Sequence, residues 1–187
     1  MSAGSSPDRP GGTAVEAADF TRAMARVPGP VTVVTTVDAA GTRSGFTASS
    51  FSSVSLDPPL VLVCLDRAAS THPAFAAADR FLVNVLAEGQ EAIALRFAAS
   101  GIDRFAAGDL KPCEAGMPGL PDACARVACT LHALVEAGDH SILVGRVEQA
   151  HTGDRPPLVH CDRAFSRPVP VARPDEELLS ALHLTEW

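Results

Sequence analysis

Clusters of lysine and arginine are absent from this 187-residue sequence, whose 15 basic residues are scattered along the chain. The formal net charge is −7, whereas non-specific binding to nucleic acid needs a basic surface. The longest strongly apolar run, residues 60–65, is far too short to span a bilayer. Residues 1–14 also lack the apolar segment of a signal peptide. We therefore expect a cytoplasmic protein that binds neither nucleic acid nor membranes.

Several motifs of metal sites, cofactor sites and hydrolases are absent as well. The five cysteines form no CxxC pair, and an odd number is typical of reduced thiols. Three of them lie with His132 between residues 113 and 132, but their spacing matches no known zinc finger or ribbon. We therefore predict no metal site and interpret the cysteines as small buried hydrophobic residues. No GxGxxG follows a predicted strand, which excludes a Rossmann cofactor site, and no Ser-His-Asp or paired-carboxylate arrangement supports hydrolysis.

The composition is that of a folded globular chain. It is 47% hydrophobic and 20% charged, and its length allows a single domain with a genuine core. We predict a disordered tail over residues 1–14, one domain over 15–168, and a C-terminal extension over 169–187. The extension contains a short helix that begins near Pro174, because acidic residues in its first turn suit the helix dipole.

The predicted elements are mostly strands in hairpins. Strands are predicted over residues 31–37, 43–54, 60–65, 81–86, 124–137, 140–150 and 157–161. Helices are predicted where Phe20, Met24 and Val27 recur at helical spacing, after residues 70–73, and over 88–100. Asp57-Pro58-Pro59 ends the second strand, since proline cannot donate to a sheet. The pattern predicts a mainly β protein, a closed or nearly closed antiparallel barrel rather than a doubly wound parallel sheet.

The segment TASSFSS, residues 47–53, is unusually rich in small and hydroxyl side chains for a strand. Side chains alternate along a strand, so Thr47, Ser49, Phe51 and Ser53 are expected on one face. Small residues allow a flat ligand to approach the backbone, whose N–H and C=O groups can then pair with it. The alternative is a small-residue strand packed under a helix, with its hydroxyls bonded to neighbouring carbonyls.

A second polar segment, Ser70-Thr71-His72-Pro73, precedes a predicted helix. Two hydroxyls and free backbone N–H groups at a helix start can form an anion site, and the alternative is simple capping of the helix. Both segments follow neighbouring strands. A ligand with a polar ring and a phosphate could therefore contact both.

A third segment, Gly138-Asp139-His140, has the composition of a turn and leads into a strand. Gly145 in that strand permits a close approach. His140 is a candidate functional residue, and the alternative is that it caps the turn.

Several ordered segments match one protein family. They are FTRAMARVPGPVTVVTT, GFTASSFSSVSLDPPLVLVCL, RFLVNVLAEGQEAIALRFA, DRFAAGD, GMPGLPDA and GDHSILVGRV followed by PPLV. The sequence resembles the flavin reductase-like proteins, which include the reductase components of two-component flavin-dependent monooxygenases. The resemblance extends from about residue 17 to residue 168 and implies the antiparallel split β-barrel that binds FMN.

The resemblance also implies a homodimer with flavin near the subunit boundary. The positions that match cofactor-binding segments are Thr47, Ala48, Ser49, Ser50, Ser70, Thr71, Asn84, Arg104 and Phe105. By analogy, residues 47–50 line the isoalloxazine and ribityl chain, and residues 70–71 lie near the phosphate. Asn84 adds a polar contact and residues 104–105 border the cofactor. His140 matches the catalytic-site histidine on the pyridine-nucleotide side.

The reaction implied is hydride transfer from NADH or NADPH to FMN or FAD, with reduced flavin supplied to a partner monooxygenase. The chain departs from the family over residues 160–165, HCDRAF, where relatives have an aromatic residue, a glycine and another aromatic. It also contains no tyrosine. Two alternatives therefore stay open: a flavoprotein with tightly bound FMN that acts on a different substrate, and a non-enzymatic barrel that binds a ligand or partner.

Overall fold

The structure is a computed structural model that describes residues 15–170. Its helices are α1 (Ala17–Ala25), α2 (His72–Ala76) and α3 (Glu91–Ala98). Its strands are β1 (Gly29–Pro30), β2 (Thr32–Val37), β3 (Arg43–Ala48), β4 (Ser52–Leu56), β5 (Pro59–Asp66), β6 (Arg80–Val85), β7 (Lys111–Pro112), β8 (Pro118–Gly119), β9 (Ala125–Ala137), β10 (His140–Thr152), β11 (Val159–Cys161) and β12 (Ala164–Ser166). The predicted tail 1–14 and the helix predicted near Pro174 lie outside the described residues. None of the helices in the described range is long and apolar enough to cross a membrane.

Seven strands form one antiparallel sheet in the order β3-β2-β6-β9-β10-β5-β4. Its two edge strands, β3 and β4, are consecutive in sequence and are joined by residues 49–51 only. The two edges of the sheet must therefore meet at this connection. Ser50 lies there, and its Oγ accepts a hydrogen bond of 2.9 Å from the Cys64 N–H on β5. The mainly β prediction is confirmed, and the sheet is a split antiparallel barrel.

The strand predicted over 43–54 is wrong as a single element. The chain leaves β3 after Ala48 and enters β4 at Ser52, because it has to cross from one edge of the curled sheet to the other. The expected alternation of faces therefore ends at Ala48. The break predicted at Asp57-Pro58-Pro59 is confirmed, since β4 ends at Leu56 and β5 begins at Pro59.

The core of the described residues has one cluster inside the barrel, another beneath α3, and a small third one formed by Leu82, Met117 and Ala128. Phe75 and Phe81 are fully buried in the first, and Phe97 in the second. A Cβ on Gly145 would lie 2.5 Å from Cζ of Phe81. The close approach that Gly145 permits is therefore made by a core aromatic ring. Burial of each large side chain contributes about 2 kcal/mol of stability.

The loop predicted over residues 101–122 contains the short strands β7 and β8 and is attached to β9 by a buried ion pair. Arg126 donates from Nε to Oε2 of Glu114 at 2.8 Å and from Nη2 to Oε1 at 2.9 Å. Its Nη1 also donates to the Leu120 carbonyl. These hydrogen bonds lower the pKa of Glu114. The paired charges allow Arg126 to be buried without an uncompensated cost.

Helix α1 forms as its periodicity predicts, but none of its residues is buried. Phe20, Met24 and Val27 are 55%, 48% and 58% exposed. At its C-terminal end the Asp162 N–H donates to the Ala25 carbonyl. The apolar face of α1 therefore has no partner within residues 15–170.

Candidate active site

A cavity of about 400 Å³ lies at the seam of the barrel, beside the connection between β3 and β4. The ends of β3, β5 and α3, the residues just before α2 and the first residue of β10 all contribute to it. Its walls include Thr47, Ala48, Ser49, Ser50, Ser70, Thr71, Arg104 and His140, with Cys64, Asp66 and Ser100 among the others. The fold thus brings together eight of the ten site residues that the sequence suggested. It places the other two, Asn84 and Phe105, elsewhere.

The hydroxyl groups around this cavity divide into two sets. Thr47 donates from Oγ1 to the Ala94 carbonyl on α3 at 2.7 Å, and Ser50 pairs with Cys64 as described above. Both hydroxyls stabilise the barrel, as the alternative interpretation of this segment expected. The hydroxyls of Ser49, Ser70, Thr71 and Ser100 have no hydrogen-bond partner among the described residues. They are therefore available to a ligand.

The start of α2 does not follow the capping alternative. Thr71 occupies the N-cap position, but its side chain makes no capping hydrogen bond. It is nevertheless 8% exposed and lines the cavity. A hydroxyl that lines a cavity and has no protein partner is free to pair with water or with a ligand there. This arrangement favours the ligand interpretation of Ser70-Thr71 over simple capping.

Arg104 provides a positive charge at the cavity wall. Its Nη1 donates to the Gly45 carbonyl at 2.9 Å, and its Nε and Nη2 donate to the Ala99 carbonyl at 2.9 and 2.7 Å. Its hydrogen-bond partners among the described residues are backbone carbonyls, so Arg104 makes no ion pair there, although Asp66 also lines the cavity. Guanidinium groups bind phosphate well. Arg104 is held rigidly where it can stabilise an anionic ligand.

His140, the first residue of β10, also lines the cavity. Its Nδ1 donates to Oδ1 of Asp139 at 2.7 Å, and this hydrogen bond lowers the pKa of Asp139. The side chain of His140 is 44% exposed. His140 therefore both pairs within the turn and presents its ring to the cavity.

Asn84 and Phe105 have roles in the core. The Asn84 side chain is fully buried, donates from Nδ2 to the Val33 carbonyl, and accepts at Oδ1 from the Leu120 N–H. Both ends of its amide therefore hold β2, β6 and the loop before β9 together in the core. Phe105 packs edge-to-face on Phe97, with ring centroids 5.2 Å apart. The resemblance placed both at the cofactor, and the structure does not bring them to the cavity.

A second, more apolar cavity of about 270 Å³ lies against the same end of β3. Residues 47–49 contribute to both cavities, and His160 and Phe165 line the second. The rings of His160 and Phe165 meet at an interplanar angle of 70° with centroids 6.0 Å apart. The divergent segment 160–165 therefore lies next to the predicted flavin-lining strand.

Comparison with known proteins identifies the chain's relatives. Residues 24–168 match the model of the flavin reductase-like domain. The chain is 47% identical over 166 residues to an NADH:riboflavin 5′-phosphate oxidoreductase of Streptomyces pristinaespiralis, covering 87% of this chain and 94% of that one. It is 46% identical over 118 residues to the reductase component of a flavin-dependent trigonelline monooxygenase of Acinetobacter baylyi, covering 63% of this chain and 38% of the other.

A solved structure gives the same result. An NADH:FAD oxidoreductase of Streptomyces globisporus, determined in complex with NAD and FAD fragments, superposes with a TM-score of 0.78. It is 36% identical, and the match covers 87% of this chain and all of that one. The fold, the matched range and the extent of identity agree. The chain belongs to the flavin reductase-like family.

Proposed function

We propose that the chain is an NAD(P)H-dependent flavin reductase whose active site is the 400 Å³ cavity at the barrel seam. The reaction converts NAD(P)H, a proton and oxidised FMN or FAD into NAD(P)⁺ and reduced flavin. The supporting observation is the set of groups around one cavity beside the β3–β4 connection. The cavity wall combines small side chains, hydroxyls without a protein partner and the guanidinium of Arg104.

The donor set fits a flavin. The small side chains of residues 47–50 let a flat ring lie against the end of β3. The free hydroxyls of Ser70 and Thr71 and the charge of Arg104 suit a phosphate. Flavin supplies the redox chemistry when bound, so the chain needs no acid–base pair of its own. Its residues bind and orient the two reactants and exclude water from between them.

His140 serves the nicotinamide side in this proposal. Its Nδ1–H is engaged by Asp139, which leaves Nε2 free to bond a reactant at the cavity. The histidine orients the nicotinamide rather than abstracting a proton. Hydride transfer leaves no proton for an essential base to remove.

We further propose a cytoplasmic homodimer that supplies reduced flavin to a partner monooxygenase. The exposed apolar side chains of Phe20 and Met24 on α1, with Val27 just after the helix, support the dimer. An apolar helix face of this kind is stable only when it is covered. The name of the Acinetobacter relative supports the monooxygenase.

A second candidate is a flavoprotein that retains FMN and acts on another substrate. The observation that favours it is His160, which replaces an expected aromatic residue beside β3 and contacts Phe165. A changed wall there could alter which molecule meets the flavin. Flavin that stays bound in equimolar amount through dialysis, with slow NAD(P)H oxidation, would support this candidate.

A steady-state assay tests the proposal. Purified protein is mixed with FMN or FAD and with NADH or NADPH, and nicotinamide oxidation is recorded for the four combinations. We expect turnover that depends on protein, flavin and nicotinamide together. A lack of turnover in all four combinations would overturn the proposal. A protein that also fails to quench flavin fluorescence would be the non-enzymatic barrel.

A further inference from the structure

Two hydrogen bonds connect the first residue of α2 and the loop before it to the start of β10. The Nε2 atom of His72 lies 2.9 Å from Oγ of Ser141, and the Arg67 N–H donates to the Asp139 carbonyl at 3.0 Å. Ser141 is 2% exposed and His72 is half-buried, so the bond is partly shielded from water. His72 is not part of the cavity wall.

The position of α2 depends on such contacts. A five-residue helix has little stability of its own. Its apolar anchor is Phe75, which is fully buried and packs edge-to-face on Phe46 with centroids 4.9 Å apart. Its polar anchor is His72, at its first residue. The orientation of the two preceding residues, Ser70 and Thr71, therefore depends on the bond between His72 and Ser141.

We propose that His72 is a positioning residue that acts through Ser141 to aim the hydroxyls of Ser70 and Thr71 at the phosphate of the flavin. Ser141 directly follows His140 in β10, so the same bond fixes the anion end of the cavity relative to the nicotinamide end. The inference rests on the proposed function and deepens it. It assigns a role to a residue that touches no reactant.

The hydrogen-bonding capacity of the side chain at position 72 predicts which variants still hold the loop before α2. Glutamine can place its terminal amide near the site of Nε2 and can bond the Ser141 hydroxyl. Alanine cannot. His72→Gln is therefore the rescue variant, and Ser141→Ala removes the same bond from the other side.

Binding of FMN and riboflavin, which differ only by the phosphate, distinguishes positioning from general damage. Dissociation constants are measured by quenching of flavin fluorescence in the wild type and each variant. We expect His72→Ala to weaken FMN binding about tenfold, the effect of about one hydrogen bond. Riboflavin binding should change by less than about twofold on the same reasoning. His72→Gln should restore most of the FMN affinity.

A double-mutant comparison and a control complete the experiment. Ser141→Ala should weaken FMN binding as His72→Ala does, and combining the two should add little, because both remove one bond. His132→Ala, at an exposed position on β9, should change neither the dissociation constant for FMN nor that for riboflavin. If His72→Ala weakened the binding of FMN and of riboflavin equally, the role of His72 would be merely structural and the inference would be overturned. A wild type that binds FMN no better than riboflavin would also overturn it, whereas failure of the turnover assay above is what refutes the proposed function.

Discussion

Oδ1 of Asp139 accepts a hydrogen bond of 2.7 Å from Nδ1 of His140, at the rim of the cavity where β10 begins. The bond sets which ring nitrogen is free, since a neutral ring that donates from Nδ1 leaves Nε2 as its acceptor. Asp139 is 91% exposed, and exposed pairs contribute little to stability. The main effect of this pair is therefore to orient the imidazole ring of His140, not to stabilise the fold.

Replacing His140 should affect the nicotinamide more than the flavin. We expect His140→Ala to lower kcat/KM for the nicotinamide about tenfold, the effect of losing about one hydrogen bond to a reactant. Flavin affinity, measured by fluorescence quenching, should stay within about twofold on the same scale. Asp139→Asn should give a smaller loss, because it alters only the orientation of the ring. A variant with unchanged nicotinamide kinetics would remove His140 from the proposed site.

Two threonines at the cavity should respond differently to loss of their hydroxyls. Thr71→Val removes a hydroxyl with no protein partner, so we expect flavin affinity to fall about five- to tenfold with little change in thermal unfolding. Thr47→Val removes the hydrogen bond to Ala94, and it should reduce stability by about 1 kcal/mol. If Thr71→Val lowered stability and Thr47→Val lowered flavin affinity instead, the ligand-binding and structural roles of these two hydroxyls would be interchanged. Thermal unfolding and fluorescence titration of both variants distinguish the outcomes.

Asn84 should matter for stability and not for flavin binding. Asn84→Ala leaves the Leu120 N–H and the Val33 carbonyl without their buried partner. We expect a loss of about 2–3 kcal/mol in the free energy of unfolding, with flavin affinity of the folded protein unchanged. Denaturant unfolding and a flavin titration of the variant are the measurements. A selective loss of flavin affinity would instead support the contact that the resemblance implied.

The pair of Glu114 and Arg126 should make stability depend on acidity. Arg126 holds the pKa of Glu114 below its ordinary value, so this stabilisation is present above that value and is lost as pH falls through the lowered pKa. Near neutral pH we expect Glu114→Gln to cost about 3 kcal/mol, since it leaves a buried guanidinium without its counter-charge.

The difference in unfolding free energy between wild type and Glu114→Gln should narrow as pH falls below about 4.3, the ordinary value for glutamate. Denaturant unfolding over a pH series measures it. Glu136→Gln is the matched control, because the Glu136 carboxylate pairs with Arg67 only at the exposed surface; it should show a much smaller dependence, since exposed ion pairs contribute little to stability. A difference between wild type and Glu114→Gln that stays constant into acid would mean that the charge of Glu114 does not stabilise the fold.

The sequence predicts the strands and the small-residue and hydroxyl segments that line the cavity because those signals are local, whereas Arg104 is suggested by the family resemblance alone. Alternating apolar residues, turn residues and the small residues of TASS are all read within a few positions. The break after Ala48 is not visible locally, because it arises where the two edges of the sheet meet. The neighbours of Asn84 and Gly145 are likewise set by strand pairing over long sequence distances. The Glu114–Arg126 pair gives no sequence signal, since its residues belong to a loop and a strand that meet only in the fold.

The central claim is that the cavity at the barrel seam brings a reduced nicotinamide to a flavin. Anaerobic mixing of the flavin-loaded protein with NADH or NADPH, followed through the visible absorbance of the flavin, tests it most directly. We predict loss of the yellow colour at a rate that saturates with nicotinamide concentration and falls in His140→Ala. A flavin that stays oxidised at every concentration of both nicotinamides would contradict the claim.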